Sequence, residues 1–247
     1  MKRHQSGFTL IEIAIVLVII GLLLGGVLKG QELINSARVK NLASDFRNIP
    51  VFIYGYQDKF KALPGDDANA NLHLGNAACT SIPGGTCQAT TPAGAQGNGV
   101  IDSSWSSQLP TDESYLFWLH IRLAGLAPGS TDPSVAGNYL PTNASGGTIG
   151  VQSGTSCTAA GAPTASCTAT FLTPIKDATG NALRGSYVIC STGILGKFVT
   201  QLDTQMDDGN TATGSMMAVP TGSGAATNAT PTAGIDPAAS YTVCMGA

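Results

Sequence analysis

The sequence predicts an α+β fold: a long N-terminal helix, apolar and then amphipathic, packed on a loop-rich, disulfide-stapled antiparallel β head. Three observations carry this. An apolar run near the N-terminus passes into a stripe spaced by threes and fours, short strand-like runs gather in the second half, and six cysteines all lie beyond the apolar run. Helices first and strands later is the order of an α+β chain. The 247 residues allow a sizeable core in one domain of ordinary size. A net charge of −3 with 11% charged residues lacks the basic face that nucleic-acid binding needs. The 31 glycines, among many Thr, Ser, Ala and Asn, point to a loop-rich head with the low charge of an exported surface.

The first element is the stretch MKRHQSGFTLIEIAIVLVIIGLLLGGVLKG. Lys2, Arg3 and His4 precede the apolar run, so that end is expected to stay cytoplasmic. No charge falls between Ile13 and Leu28, and counting from Phe8 the run is long enough to span a bilayer as a helix. Glu12 is the exception; a carboxylate costs roughly 2.5–3.5 kcal/mol at the centre of a membrane helix. An ordinary secretory signal is cut after its apolar run at a site of A-x-A type. Gly25 and Gly26 are small, but no such site follows them and the helical pattern continues.

The stretch Gly7-Phe8-Thr9-Leu10-Ile11-Glu12 resembles the type IV prepilin cleavage and methylation motif, shared by type IV pilins and type II secretion pseudopilins. The resemblance implies that a prepilin peptidase cuts after Gly7 and methylates the new amine of Phe8. The cut precedes the apolar run, which stays in the mature chain with Glu12 at the family's glutamate position. It implies a leader at residues 1–7, a transmembrane and filament-core helix at 8–28, an amphipathic continuation at 29–61 and a globular head at 62–247. It also implies that Glu12 neutralises the Phe8 amine of an adjoining subunit, and that the upper helix loosens near its glycines when filaments pack.

The residues themselves argue for the continuation. Val39, Leu42, Phe46, Ile49, Ile53, Tyr56 and Phe60 form one helical stripe, opposite Arg38, Lys40, Asp45, Arg47, Asp58 and Lys59. Pro50 is expected to kink the helix near Asn48, and Gly21, Gly25, Gly26 and Gly30 to weaken its upper half. Leu63-Pro64-Gly65-Asp66-Asp67 supplies turn chemistry that ends it. A long loop is expected to about residue 99, then a helix at 111–126 with Thr111 as cap, Asp112 and Glu113 in its first turn, and Leu116, Leu119, Leu123 and Leu126 as its buried stripe. Residues 127–166 read as loop. Strands are expected at 168–175, 186–190, 215–219 and 240–244, a short helix at 196–206, and an exposed loop at 221–237.

Cys79, Cys87, Cys157, Cys167, Cys190 and Cys244 contain no CxxC, which argues against a zinc ribbon or a thioredoxin site. An even count beyond an export signal reads as disulfides. Many pairings stay open; nearness in sequence favours Cys79 with Cys87 and Cys157 with Cys167, leaving Cys190 with Cys244.

No enzyme is expected. No serine stands in a G-x-S-x-G elbow, Gly196-Lys197 lacks the upstream glycine of a P-loop, and His73 and His120 are the only histidines past the leader. His120 falls on the amphipathic helix, where a packed histidine is the ordinary reading, and Trp105, Tyr115 and Trp118 read as core. Two acidic loops offer oxygen ligands for Ca²⁺: Asp66 and Asp67 with Asn69 and Asn71, joined by Asn98 and Asp102, and Asp207-Asp208-Gly209-Asn210. Neither has EF-hand spacing, and Asx-turns give the same composition without a metal. Asn143-Ala144-Ser145 and Asn228-Ala229-Thr230 match the sequon, a short pattern that arises readily in a chain this rich in Ser and Thr.

The function these features favour is a structural subunit of a type IV pilus-like filament. Its expected partners are other copies of itself or other pilins, prepilin peptidase, an inner-membrane assembly platform and, before assembly, membrane lipid. The expected location is the inner membrane with a periplasmic head, then the cell surface. A minor pseudopilin of a type II secretion system shares every N-terminal feature, and a membrane-anchored extracytoplasmic binding protein requires the motif to be accidental.

Overall fold

The computed structural model describes residues 10–80, 85–91, 96–133, 139–153 and 173–247. Helix α1 spans Leu10–Phe60, 51 residues, or about 75 Å at 1.5 Å per residue. It runs unbroken through Pro50, which lacks the N–H that would reach the Phe46 carbonyl. Lys61 closes it in the left-handed region, at φ 56°, with its N–H donating to the Gln57 carbonyl at 2.8 Å. The expected stripe packs as spaced: Val39, Leu42, Phe46, Ile49, Ile53 and Tyr56 are buried, and Phe60 is half-buried.

The head is built on a four-stranded antiparallel sheet in the order β1–β3–β6–β4. These strands are β1 (Ile149–Ser153), β3 (Tyr187–Leu195), β4 (Met216–Pro220) and β6 (Ser240–Gly246). A small parallel pair, β2 (Ile175–Lys176) and β5 (Thr227–Asn228), lies apart from it. Alternation along the strands sends side chains to two cores. Ile189 of β3, Ala218 of β4 and Val243 of β6 join α1, α4 (Glu113–Leu123) and α5 (Gly196–Met206) in the main core. Val188, Met217 and Cys244 face the opposite way, into a smaller core with Ile175, Leu183 and Ala229. The sheet is thus covered by helices on one face and by the β2–β5 layer on the other. Gly150 in β1 is required by this packing, because a Cβ there would lie 1.9 Å from the Trp105 carbonyl oxygen.

Among the described residues two disulfides tie the head. Cys190 and Cys244 face each other across β3 and β6, with Cα atoms 4.1 Å apart, and Cys79 bonds Cys87. Cys157 and Cys167 lie outside the described residues, as does most of the strand expected at 168–175.

Several expectations are corrected. The stretch after α1 holds two short helices, α2 (Ala70–Leu74) and α3 (Asn76–Thr80), instead of continuous loop. Helix α4 starts after Asp112, not Thr111, carries no side-chain cap, and ends at Leu123. It is buried on nearly every side, not along a single stripe, because the flanking loops wrap its polar face. Arg122 holds one of these loops, donating to the carbonyls of Pro128, Ser130 and Tyr139 at 3.2, 2.9 and 2.6 Å. Strand β1 occupies a region read as loop, and the 221–237 stretch contains β5 and a 3₁₀ turn at Thr232–Gly234.

Candidate functional site

The N-terminal half of α1 is bare. Every residue from 10 to 28 is exposed in the single chain, and α1 is long and apolar enough to cross a membrane. Glu12 sits in the first turn, where the positive end of the helix dipole favours a carboxylate. Gly7 and Phe8, the residues expected to be cut and methylated, lie outside the described residues. The exposed Lys29–Glu32 pair, at 2.6 Å, follows the apolar run just before the helix reaches the head.

Asp66 and Asp67 are neighbours in sequence that serve different parts of the head, both buried. The Asp66 carboxylate accepts the backbone N–H groups of Gly97, Asn98 and Gly99, tethering that loop to the end of α1. Burial pushes its pKa up to about 6, against these three bonds. Asp67 accepts the Tyr56 hydroxyl at 2.7 Å, the His73 ring at 2.7 Å and the Asn69 N–H at 2.8 Å. Burial pushes this carboxyl up, but the bonds from His73 and Tyr56 prevail and hold it below its ordinary value. Asn71 accepts the Cys87 N–H, and Asn98 donates to Asp102 at 2.9 Å. Each acid of this loop is thus engaged by protein donors. The open groove of about 700 Å³ beside them is lined by Gln57, Phe60, Lys61 and His73 along with these two acids.

His120 is fully buried and structural. Its Nδ1 accepts the Gly65 N–H at 2.9 Å, so Nε2 carries the proton and donates to the Cys87 carbonyl at 2.8 Å. Burial pushes its pKa down, which keeps the ring neutral. One histidine thereby joins the turn after α1, helix α4 and the Cys79–Cys87 loop. Trp118 and Tyr115 are buried in the core as expected, and Trp105 packs on the smaller core. Asn143 of the first sequon is buried, with its amide donating to Ser191 Oγ and the Thr192 carbonyl, both at 2.7 Å. Asn228 of the second is exposed in β5.

The other acidic loop has a third member. Asp203, in the last turns of α5, stands with Asp207 and Asp208 so that one carboxylate oxygen from each lies within 4.8 Å of the others. Asp203 is 1% exposed; the Gly209 amide is turned toward its carboxylate, but neither oxygen has a partner at full hydrogen-bonding geometry. Burial, then the charges of Asp207 and Asp208, push its pKa up to about 7, and the Gly209 amide offsets only part of that. Asp207 accepts Ser215 Oγ at 3.0 Å and the Met216 N–H at 2.8 Å. Asp208 accepts the Asn210 N–H and Thr213 Oγ1, each at 2.8 Å. The sequence reading missed Asp203 because it lies on the helix face of Val199 and Leu202; its signal was an acid four residues before Asp207 on an apolar face.

Residues 2–28 match the prokaryotic N-terminal methylation motif. No curated protein and no solved structure matches the chain. The chain is therefore recognised as pilin-like, carrying the processing motif shared by type IV pilins and pseudopilins on an apolar helix that leads into an α+β, disulfide-bonded head. It is of the kind that prepilin peptidase processes, and the motif's family is structural, not enzymatic.

Proposed function

We propose that the chain is a structural subunit of a type IV pilus-like filament, held in the inner membrane by the first half of α1 before assembly. The observation that carries this reading is the methylation motif at residues 2–28 on a helix whose first half is bare and whose second half packs on the head. Prepilin peptidase cuts after Gly7, before the apolar run, so the helix remains as anchor and then as filament core. A helix apolar on all sides needs lipid or neighbouring helices of its own kind.

Glu12 supplies the register. Near the edge of a bilayer its carboxylate still reaches headgroups and water, so its cost is less than at the centre. In a packed core that water is gone, and a buried charge without a partner is expensive. The cation that cleavage generates is the α-amine of Phe8, which methylation leaves charged. Pairing Glu12 with the amine of an adjoining subunit satisfies both groups inside the water-free filament core.

Mass spectrometry of the mature N-terminus tests the processing. N-methylphenylalanine at position 8 is expected; cleavage after Gly26 would instead leave a freely secreted protein and end the filament reading. A type II secretion pseudopilin predicts the same N-terminus, so surface imaging decides between the two: loss of external filaments on deletion supports the pilus, whereas intact filaments with blocked protein secretion support the pseudopilus.

A further inference from the structure

We propose that Asp203, Asp207 and Asp208 form a binding site for a divalent cation, Ca²⁺, that clamps the C-terminal end of α5 to the loop leading into β4. The argument starts from Asp203. Its helix is fixed in the main core by Phe198, Val199 and Leu202, and the carboxylate is buried with it. A buried polar atom without a partner is destabilising, and a charged one more so. Here both oxygens of one buried carboxylate lack a partner at full hydrogen-bonding geometry, the Gly209 amide being the one donor turned toward it, and two further carboxylates stand beside it. Among the described residues no lysine or arginine forms an ion pair with any of the three.

The other two acids are held in place for the purpose. Asp207 and Asp208 each accept two bonds from the 210–216 segment, and a carboxylate has lone pairs beyond those. These bonds fix the direction of both groups, as outer-shell partners do around metal ligands. Gly214 lets the loop fold closely over Asp207: a Cβ there would lie 2.1 Å from Asp207 Oδ2. The Asp66–Asp67 loop lacks such an unpartnered oxygen pair, because its acids already have donors.

The donor set selects the ion. It offers oxygen only, with no thiolate or imidazole in the cluster, which favours hard cations over zinc or copper. The three carboxylates differ in burial, from buried through half-buried to exposed, and sit on a helix end and a glycine-containing loop. That irregular, partly hydrated arrangement suits the six to eight oxygens Ca²⁺ accepts better than the strict octahedron of Mg²⁺. The braced segment is structural: Thr232 Oγ1 donates to the Gly209 carbonyl at 3.0 Å, and Thr211 Oγ1 to the Thr230 carbonyl at 2.6 Å. A cation here would stiffen the path from α5 to β4 and the 3₁₀ turn together.

The test uses the full chain in detergent micelles with CaCl₂ as the only ligand. Calorimetry is expected to show one equivalent of Ca²⁺ bound with a Kd of roughly 10⁻⁴ M, as in extracellular modules. At a hundredfold excess over that Kd the head should melt about 5–10 °C higher than in chelator, and MgCl₂ should give less than half that shift. Asp203→Asn should abolish calcium binding while melting in chelator no lower than wild type, since it removes a buried charge. Should that variant not fold, Asp208→Asn, at an exposed position, should weaken binding at least tenfold. Asp177→Asn, in an exposed turn elsewhere, should bind as wild type does. Three results overturn the proposal: no calcium response in the wild type, full calcium binding by a folded Asp203→Asn or Asp208→Asn, or binding lost in Asp66→Asn instead. The first would mean that a proton, not a metal, neutralises Asp203.

Discussion

The two ends of α1 are continuous helix, yet their apolar residues meet opposite surroundings. Leu22 is 73% exposed, whereas Leu42, further down the same helix, is 0% exposed. Total apolar content does not separate them; its period does. Around Leu22 the apolar residues cover every side, so no face is left for water and the segment needs a solvent of its own kind. Around Leu42 they keep to one stripe, and Arg38, Lys40 and Arg47 take the other face. One half of the helix is thus written for partners outside the chain and the other for its own head. The Lys29–Glu32 pair lies between the two regimes.

The largest expected effect falls on the outer half. Glu12→Val should reduce filament yield by tenfold or more, leaving membrane insertion intact and the melting temperature of the head unchanged. Electron microscopy of surface filaments beside a thermal melt of the purified chain measures both; normal yield and register would show that Glu12 does not act on a neighbour.

A matched pair of deletions sharpens the contrast. Phe46→Ala should destabilise the head by about 3–5 kcal/mol through transfer and cavity costs, while Leu22→Ala should leave its unfolding midpoint in urea unchanged. Equal midpoint shifts would mean that the helix is one cooperative unit.

The disulfides extend the comparison into the head. The chain-entropy account gives about 4 kcal/mol for the Cys190–Cys244 bond, which closes 54 residues, and about 2.5 for Cys79–Cys87, which closes 8. Paired Cys→Ser variants, unfolded in denaturant, should fall in that order. The reverse order would place the main stabilisation in the loop around His120.

The smallest effect concerns Glu113. It is buried, accepts the Asp102 N–H at 2.7 Å through Oε2, and has no partner for Oε1. Burial, with the charges of Asp66, Asp102 and Asp112, raises its pKa from 4.5 to about 9. The folded head therefore holds this proton more tightly than the unfolded chain, so its contribution is fully present below pH 4.5 and is lost as pH rises towards 9. Glu113→Gln should flatten that limb and raise stability at pH 7 by on the order of 2 kcal/mol. Urea melts at pH 5 and pH 8 measure it, and an unchanged slope between them would assign the pH dependence to other acids.

What was legible in the sequence follows from where the deciding interactions lie. The stripe from Val39 to Tyr56 and the helix Gly196–Met206 are periodic patterns and fold as their periods indicate, while β4 and β6 are legible as short apolar and β-favouring runs bounded by turn residues. Strand β1 is five residues, IGVQS, buried through and through, so it shows no alternation to read. Helices α2 and α3 are single turns, and α2 is tied by longer-range bonds such as that from the Cys87 N–H to Asn71, which no local pattern encodes. The acid at Glu113 reads as a dipole partner in a helix's first turn, yet the loops that cover it make it a buried acid. In the acidic loop, Asp207 and Asp208 stood out because they adjoin Gly209, while Asp203 was camouflaged on an apolar face that only the core explains.

Strand β6 has a consequence for how the chain is made. It follows both β3 and β4 in the chain, yet it lies between them in the sheet, hydrogen-bonded to each. During synthesis from the N-terminus, α1 is complete while the sheet still lacks its centre. Until residues 240–246 arrive, β3 and β4 each present an open edge that any other strand can pair with. The same interval keeps Cys190 waiting for Cys244 and open to a premature partner. With the apolar half of α1 anchored in a membrane as proposed, the unfinished head would be held at one surface during the period when its edges are unpaired.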